Sequence, residues 1–247
     1  MTLPPEKHDL FVMRDMFRKI APRYDFISRV FSYGMDRRWK SVAVAKAALP
    51  ENAVVLDLAS GTGDFSQIVL SSCRGARSIA VDLTDRMLHV ARQRGVKEIA
   101  CADAGALPFP DNCFDAVLVG YGLRNFLNLE HAIREIERVT KPGGLLVSID
   151  FFQPENPILC RAYLAYLYAN GVFWGTLLHS RPRTYTYIPD SIRSFLSINQ
   201  LSSLLRQTGY ARVDSQPYIF GGIGVHWAMK RQRPASLSGD STSDFPN

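Results

Sequence analysis

The stretch Val54-Val55-Leu56-Asp57-Leu58-Ala59-Ser60-Gly61-Thr62-Gly63-Asp64 decides the fold. An apolar run that ends in an acid and two closely spaced glycines describes a strand, a tight turn and the start of a helix. Glycine lets the backbone turn sharply and approach a ligand with no Cβ in the way, and the unpaired N–H groups of the following helix point into the same space. Such a turn suits a nucleotide-like molecule.

Working outward, short β-branched or apolar runs alternate with helical patterns. Strands are expected over Ser78–Leu83, Lys97–Ala102, Phe114–Gly120 and Leu145–Phe151. Helices are expected over Asp85–Arg94, capped by Thr84, and Leu129–Thr140, with a turn at Pro142-Gly143-Gly144. That alternation predicts an α/β chain with a parallel sheet covered on both faces. Ala211–Tyr218 and Ile223–Met229, separated by Gly221-Gly222, read as an antiparallel closing pair.

Before the sheet, residues 1–50 form a helical cap. Phe11, Met13, Phe17 and Ile20, then Tyr24, Ile27, Val30 and Phe31, then Trp39, Val42, Val44 and Leu49 recur at helical spacing. Two or three helices follow, with Pro22 in the first turn of the second and Gly34 breaking the chain before the third. Residues 51–230 make the main domain. Within it, 157–196 read as an inserted lid, whose Ile158–Leu178 stretch is apolar but too interrupted for a spanning helix, followed by a helix over Pro189–Leu196. Ile198–Thr208 is a helix stopped by Gly209. Residues 231–247, rich in Ser, Asp, Pro and Gly, read as a disordered tail.

The 247 residues carry a formal charge of +6, and between Arg14 and Lys46 nine basic residues face three acidic ones. A solvated helical face is the first reading of that excess, attraction to an anionic membrane surface the second, and nucleic acid the third. No long charge-free apolar run and no basic-then-apolar leader is present, so a soluble, unexported cytoplasmic protein is expected, with peripheral contact at the inner face of the membrane as its only membrane association. Cys73, Cys101, Cys113 and Cys160 are scattered, and no metal site is expected. His179 and His226 read as structural.

Asp57, Asp82 and Asp103 fall at the ends of successive strands, where open α/β sheets bind ligands. Asp82 lies 21 residues after Gly61, the separation at which an acid accepts ribose hydroxyls. Ser66 stands where a dinucleotide turn has its third glycine, and no Gly-Lys-Ser/Thr follows, so NAD and ATP lose ground.

Leu56 to Asp64, Asp103-Ala104-Gly105-Ala106-Leu107-Pro108-Phe109-Pro110-Asp111, Gly122-Leu123-Arg124-Asn125-Phe126 and Arg138 to Gly144 together resemble a class I S-adenosylmethionine-dependent methyltransferase. More narrowly, Met16 to Asp25, Gly34 to Lys40, Tyr187 to Phe195 and Gly221-Gly222-Ile223 are similar to the quinone C-methyltransferases of menaquinone and ubiquinone biosynthesis. The likeness covers about residues 13–230. It implies a Rossmann-like, mostly parallel seven-stranded sheet with helices on both faces and an antiparallel last strand.

The resemblance further implies S-adenosyl-L-methionine as cofactor. Gly61, Thr62 and Gly63 would hold its methionine part, Asp82 the ribose, and Asp103 with Ala104 the adenine edge; Asp57, Leu83 and Gly120 complete the implied cofactor set. Three positions depart from the family pattern: Gly120 where serine is frequent, Ser28 where asparagine is usual, and Asp150 in place of glutamate. The implied substrate is a lipophilic quinol, demethylmenaquinol before a ubiquinone precursor, and not a nucleic acid; a homo-oligomer stays open. Ring methylation needs an electron-rich phenol held in line and a way to lose a proton. Arg124 and Asn125 are the candidates for contacting the quinol, with Arg124 stabilising the phenolate or ordering a water rather than acting as a base, since guanidinium does not give up its proton. Pairing of Arg124 with a carboxylate, shaping the loop only, is the competing reading. Tyr24 and Asp25 of the cap are candidates for the proton path, against roles in helix packing and at the surface. A scaffold that binds the cofactor without catalysis is the alternative from another class.

Overall fold

The computed structural model describes residues 10–21, 24–179 and 183–232. Seven strands, β1 (Val54–Leu58), β2 (Arg77–Asp82), β3 (Glu98–Cys101), β4 (Phe114–Gly120), β5 (Thr140–Phe151), β6 (Tyr210–Tyr218) and β7 (Ile223–Lys230), form one sheet in the order β3-β2-β1-β4-β5-β7-β6. The first five are mutually parallel, and β7 runs antiparallel between β5 and β6. Leu56 lies opposite both Ile79 and Val117, so β1 sits at the centre of the five parallel strands with its neighbours in register.

Because side chains alternate along a strand, the apolar runs feed two cores at once. Val55, Ala116, Leu118, Val147 and Ile149 face the core that buries Trp39 and Ala43 of the cap and Phe65 and Val69 beyond the β1 turn. Leu56, Leu58, Val117, Val119 and Leu146 face the core shared with α6 (Leu129–Val139) and α9 (Ile198–Gln207). Asn128 Oδ1 caps α6 by accepting from His131 N, and Ser197 with Gln200 forms a capping box on α9.

The cap comprises three helices, α1 (Leu10–Ile20), α2 (Tyr24–Phe31) and α3 (Asp36–Ala47), with Gly34 at φ +74° in the turn before α3. Trp227 Nε1 of β7 donates to the Ala43 carbonyl at 2.9 Å, and Lys46 Nζ lies 3.9 Å above the same indole, so α3 is fastened to the sheet. Pro22 falls outside the described residues, as does nearly all of the tail.

Four expectations change. Pro142 to Gly144 lies inside β5 as a bulge rather than between elements: Thr140 pairs with Phe114 and Leu145 with Ala116, Gly143 turns at φ +77°, and a Cβ on Gly144 would come 2.8 Å from the Asp115 carbonyl. The interrupted stretch is one continuous helix, α7 (Pro157–His179); Asn170 Nδ2 bonds the Tyr166 carbonyl at 2.9 Å on the helix's own surface instead of breaking it. Helix α8 (Arg183–Arg193) begins before Pro189 and carries that proline inside. Thr84 precedes α5 (Asp85–Gln93), but its side chain makes no capping bond. Among the described residues no helix is long and apolar enough to cross a membrane.

Candidate active site

The β1 turn is held from beneath. Asp57 is buried and accepts from both the backbone N–H and the hydroxyl of Ser66, at 2.8 and 2.7 Å, which ties the first turn of α4 (Asp64–Ser72) to the strand. Burial pushes its carboxyl up to about 7 against the pull of those two bonds. Gly63, at φ +84°, has a second reason to be glycine: a Cβ there would lie 3.0 Å from Val96 and 3.1 Å from Ala91.

Above this turn lies an open cleft of about 760 Å³, solvent included. Gly61 sits at its edge and donates its N–H to Asp82 Oδ2 at 2.9 Å, while Thr84 N donates to Oδ1 at 2.8 Å. Desolvation raises the Asp82 carboxyl, and these N–H bonds oppose it. Leu83, Met87, Asp103 and Ala104 continue the wall, and Asp103 Oδ1 accepts from Gly105 N at 2.9 Å. Gly120, Tyr121, Gly122 and Asn125 form the far side, and Met13 and Phe17 of α1 contribute apolar surface from the cap. Gly122 permits this closeness, since a Cβ on it would sit 2.7 Å from that of Ala59.

The cleft therefore gathers Gly61, Asp82, Leu83, Asp103, Ala104, Gly120 and Asn125 of the expected set. Asp57, Thr62, Gly63 and Arg124 stand outside its lining. Tyr24 and Asp25 lie at the start of α2, and their side chains fall outside the described residues, as does that of His179. His226 is buried with Nε2 3.1 Å from the Ile198 carbonyl, which matches a structural role.

Arg124 is buried beneath the short 3-10 turn Leu123–Asn125. Its Nη1 donates to Asp150 Oδ1 at 2.6 Å and to the Tyr121 carbonyl at 2.8 Å, and its Nε to Ser191 Oγ at 3.3 Å. The pairing with a carboxylate that the sequence left open is thus present. Asn125, next in the chain, reaches the cleft; its Nδ2 donates to the Tyr121 carbonyl at 3.2 Å, and its Oδ1 accepts from the Tyr187 hydroxyl at 2.8 Å.

Sequence reasoning missed a second ionic group. Lys40 of α3 is buried and donates to Asp64 Oδ2 at 2.8 Å; Arg94 Nη1 holds Asp64 Oδ1 at 3.2 Å and the Thr62 carbonyl at 3.4 Å. The Lys40 ammonium lies 5.3 Å over the Tyr121 ring and 5.9 Å over Phe65. These cations hold the Asp64 carboxyl below the usual carboxylate range despite its burial. A signal was present: Lys40 falls on the same helical face as Asp36, Ala43, Val44 and Ala47, all buried.

The ubiE/COQ5 methyltransferase family matches residues 5–230 of the chain. A ubiquinone/menaquinone biosynthesis C-methyltransferase of Pseudomonas putida is 35% identical over 237 residues, 92% of this chain and 91% of that protein. A demethylmenaquinone methyltransferase of Thermus thermophilus is 37% identical, over 85% of this chain and 98% of its own length. Among solved structures, a Thermotoga maritima S-adenosylmethionine-dependent methyltransferase superposes with a TM-score of 0.65 at 22% identity, covering 89% of this chain and all of that one. A Haemonchus contortus phosphoethanolamine N-methyltransferase in complex with S-adenosyl-L-methionine superposes with a TM-score of 0.64 at 16% identity, covering 87% of this chain and 60% of its own.

Proposed function

The chain belongs to the ubiE/COQ5 methyltransferase family, and from that premise we propose that it methylates a ring carbon of a demethylated isoprenoid quinol, using S-adenosylmethionine and taking demethylmenaquinol as its substrate. The observation that carries this is the cleft itself, in which a glycine turn, a strand-end carboxylate and apolar walls adjoin the Asn125 loop.

The donor set fits the cofactor. Asp82 spends one acceptor position of each oxygen on Gly61 and Thr84 and keeps others for ribose hydroxyls. Asp103 and Ala104 take the adenine edge, while Leu83, Met87 and the cap residues Met13 and Phe17 shut out water. When bound, S-adenosylmethionine supplies an electrophilic methyl on a sulfonium.

The chain's own part is to bind and align the quinol and to favour its anionic form, the phenolic proton leaving to solvent water. A reduced ring is nucleophilic at carbon, more so as its phenolate, and Asn125 holds the ring oxygen at the cleft wall. Arg124, committed to Asp150, keeps that loop in place. Gly122 and Tyr121 set the surface on which the ring lies.

A prenylated substrate is delivered from the membrane. Ile158, Leu159, Tyr166 and Phe173 of α7 are exposed, Tyr166 stacks on exposed Tyr33 at 5.6 Å, and Arg161 of α7, Arg29 of α2 and Arg37 and Arg38 of α3 are exposed as well. Together they suit peripheral contact of a cytoplasmic protein with anionic lipid.

A methyl-transfer assay with reduced demethylmenaquinone and a reduced demethylated ubiquinone precursor side by side tests the reading. Turnover of the first, faster than the second, is expected. Binding of S-adenosylmethionine without methylation of either quinol overturns it.

A further inference from the structure

The geometry points to Tyr187 as the residue that fixes Asn125 as a hydrogen-bond donor to the quinol oxygen, a positioning role from the α8 segment. This rests on the quinol reading above. Tyr187 is buried, and its hydroxyl lies 2.8 Å from Asn125 Oδ1. On the other side of the same amide, Nδ2 lies 3.2 Å from the Tyr121 carbonyl.

A carbonyl oxygen only accepts, so the amide end facing Tyr121 is the NH₂ and the end facing Tyr187 is the oxygen. The phenolic O–H must then donate to it. The Tyr121 carbonyl excludes the flipped amide, which would set oxygen against oxygen there, and the Tyr187 hydroxyl, donating to Oδ1, holds the amide plane in that orientation. One Nδ2 hydrogen remains for the cleft that Asn125 lines.

A donor held in one orientation favours the anionic form of a phenol oxygen, whereas an amide free to turn presents its acceptor part of the time and opposes ionisation. Tyr187 thereby tunes the ionisation of a substrate that it need not touch. The link also joins lid to loop: Ser191, one helical turn beyond Tyr187 on α8, accepts from Arg124 Nε.

Tyr187→Phe keeps the ring and removes only the hydroxyl. At neutral pH it is expected to lower kcat/KM about tenfold, in the range of one charge-assisted hydrogen bond. The acidic limb of its pH–rate profile should move to higher pH, while calorimetric affinity for S-adenosylhomocysteine and the Tm stay at wild-type values. In an Asn125→Ala background the same change should add nothing. Independently of any substrate, the Asn125 side-chain amide protons should exchange with solvent faster in Tyr187→Phe by NMR.

Unchanged amide exchange, an unmoved pH limb, or a full additional loss in the Asn125→Ala background would overturn the proposal. Failure of the wild-type enzyme on both quinols would instead strike the quinol reading, and the amide exchange would still decide whether Tyr187 orients Asn125.

Discussion

Arg124 and Asp150 form a buried ion pair, Nη1 to Oδ1 at 2.6 Å, that joins the turn after β4 to the end of β5. Asp150 also accepts from the backbone N–H groups of Arg124 and Phe151, at 3.3 and 2.8 Å, so one carboxylate organises both strand ends.

Removing one partner strands the other in a dry site. Arg124→Met is expected to cost about 3–5 kcal/mol in urea unfolding, the range for breaking a buried pair. Arg124→Met combined with Asp150→Leu should recover most of that stability without recovering turnover. Equal instability of the single and double variants would show that the pair is not the source of the loss.

Asp82 should separate binding from folding less cleanly than a purely ligand-facing acid, because it also accepts from Gly61 and Thr84. Asp82→Ala is expected to raise the calorimetric Kd for S-adenosylhomocysteine at least tenfold, about 1.4 kcal/mol or more, with a smaller loss of folding stability. A larger loss in folding than in binding would assign Asp82 mainly to the turn.

Lys40 clamps the turn after β1 from the cap through Asp64. Lys40→Met leaves Asp64 with Arg94, so the expected loss is about 2 kcal/mol, that of one charge-assisted hydrogen bond. The same variant should bind S-adenosylhomocysteine more weakly, since Arg94 alone would then fix both Asp64 and the Thr62 carbonyl. Unaltered affinity in a destabilised variant would confine Lys40 to cap packing.

Two buried groups give opposite pH slopes. Burial holds the His226 imidazole down at about 4, so between there and the ordinary value near ~6.5 the unfolded chain takes a proton that the folded one refuses; this contribution is lost as pH falls through that window. Asp57, pushed up to about 7, keeps a proton that the unfolded chain releases above ~4, and its contribution is lost as pH rises toward 7. Unfolding of Asp57→Asn across this range should show stability rising more steeply with pH than in wild type, and His226→Phe should show it rising less or falling. Parallel pH profiles for both variants and wild type would overturn the assignment.

What could be read from the chain was whatever local chemistry decides. The β1 turn was legible because strand, acid and glycines are contiguous, and the strand-end acids because parallel strands share one ligand-binding edge. Arg124 with Asp150 was not decidable: the two are 26 residues apart and meet only because β4 and β5 are neighbours. The continuity of α7 was not legible in its composition, because Asn170 in its middle stays helical by bonding back to the Tyr166 carbonyl one turn earlier. Gly120 was visible as a departure, but its setting was not: a Cβ there would come 3.1 Å from Phe65 and 3.5 Å from Lys40. Serine at this position requires those neighbours to yield.

The bond from Trp227 to Ala43 spans 184 residues of chain. A contact of that separation closes a very long loop, and in a chain made from its N-terminus it can form only after β7 has been synthesised. Helix α3 can pack on α4 and β5 as soon as those are made, but its fastening to the Trp227 indole waits for β7. Through Lys40 the same helix reaches Asp64, so a fastening that forms only with β7 also steadies the turn after β1.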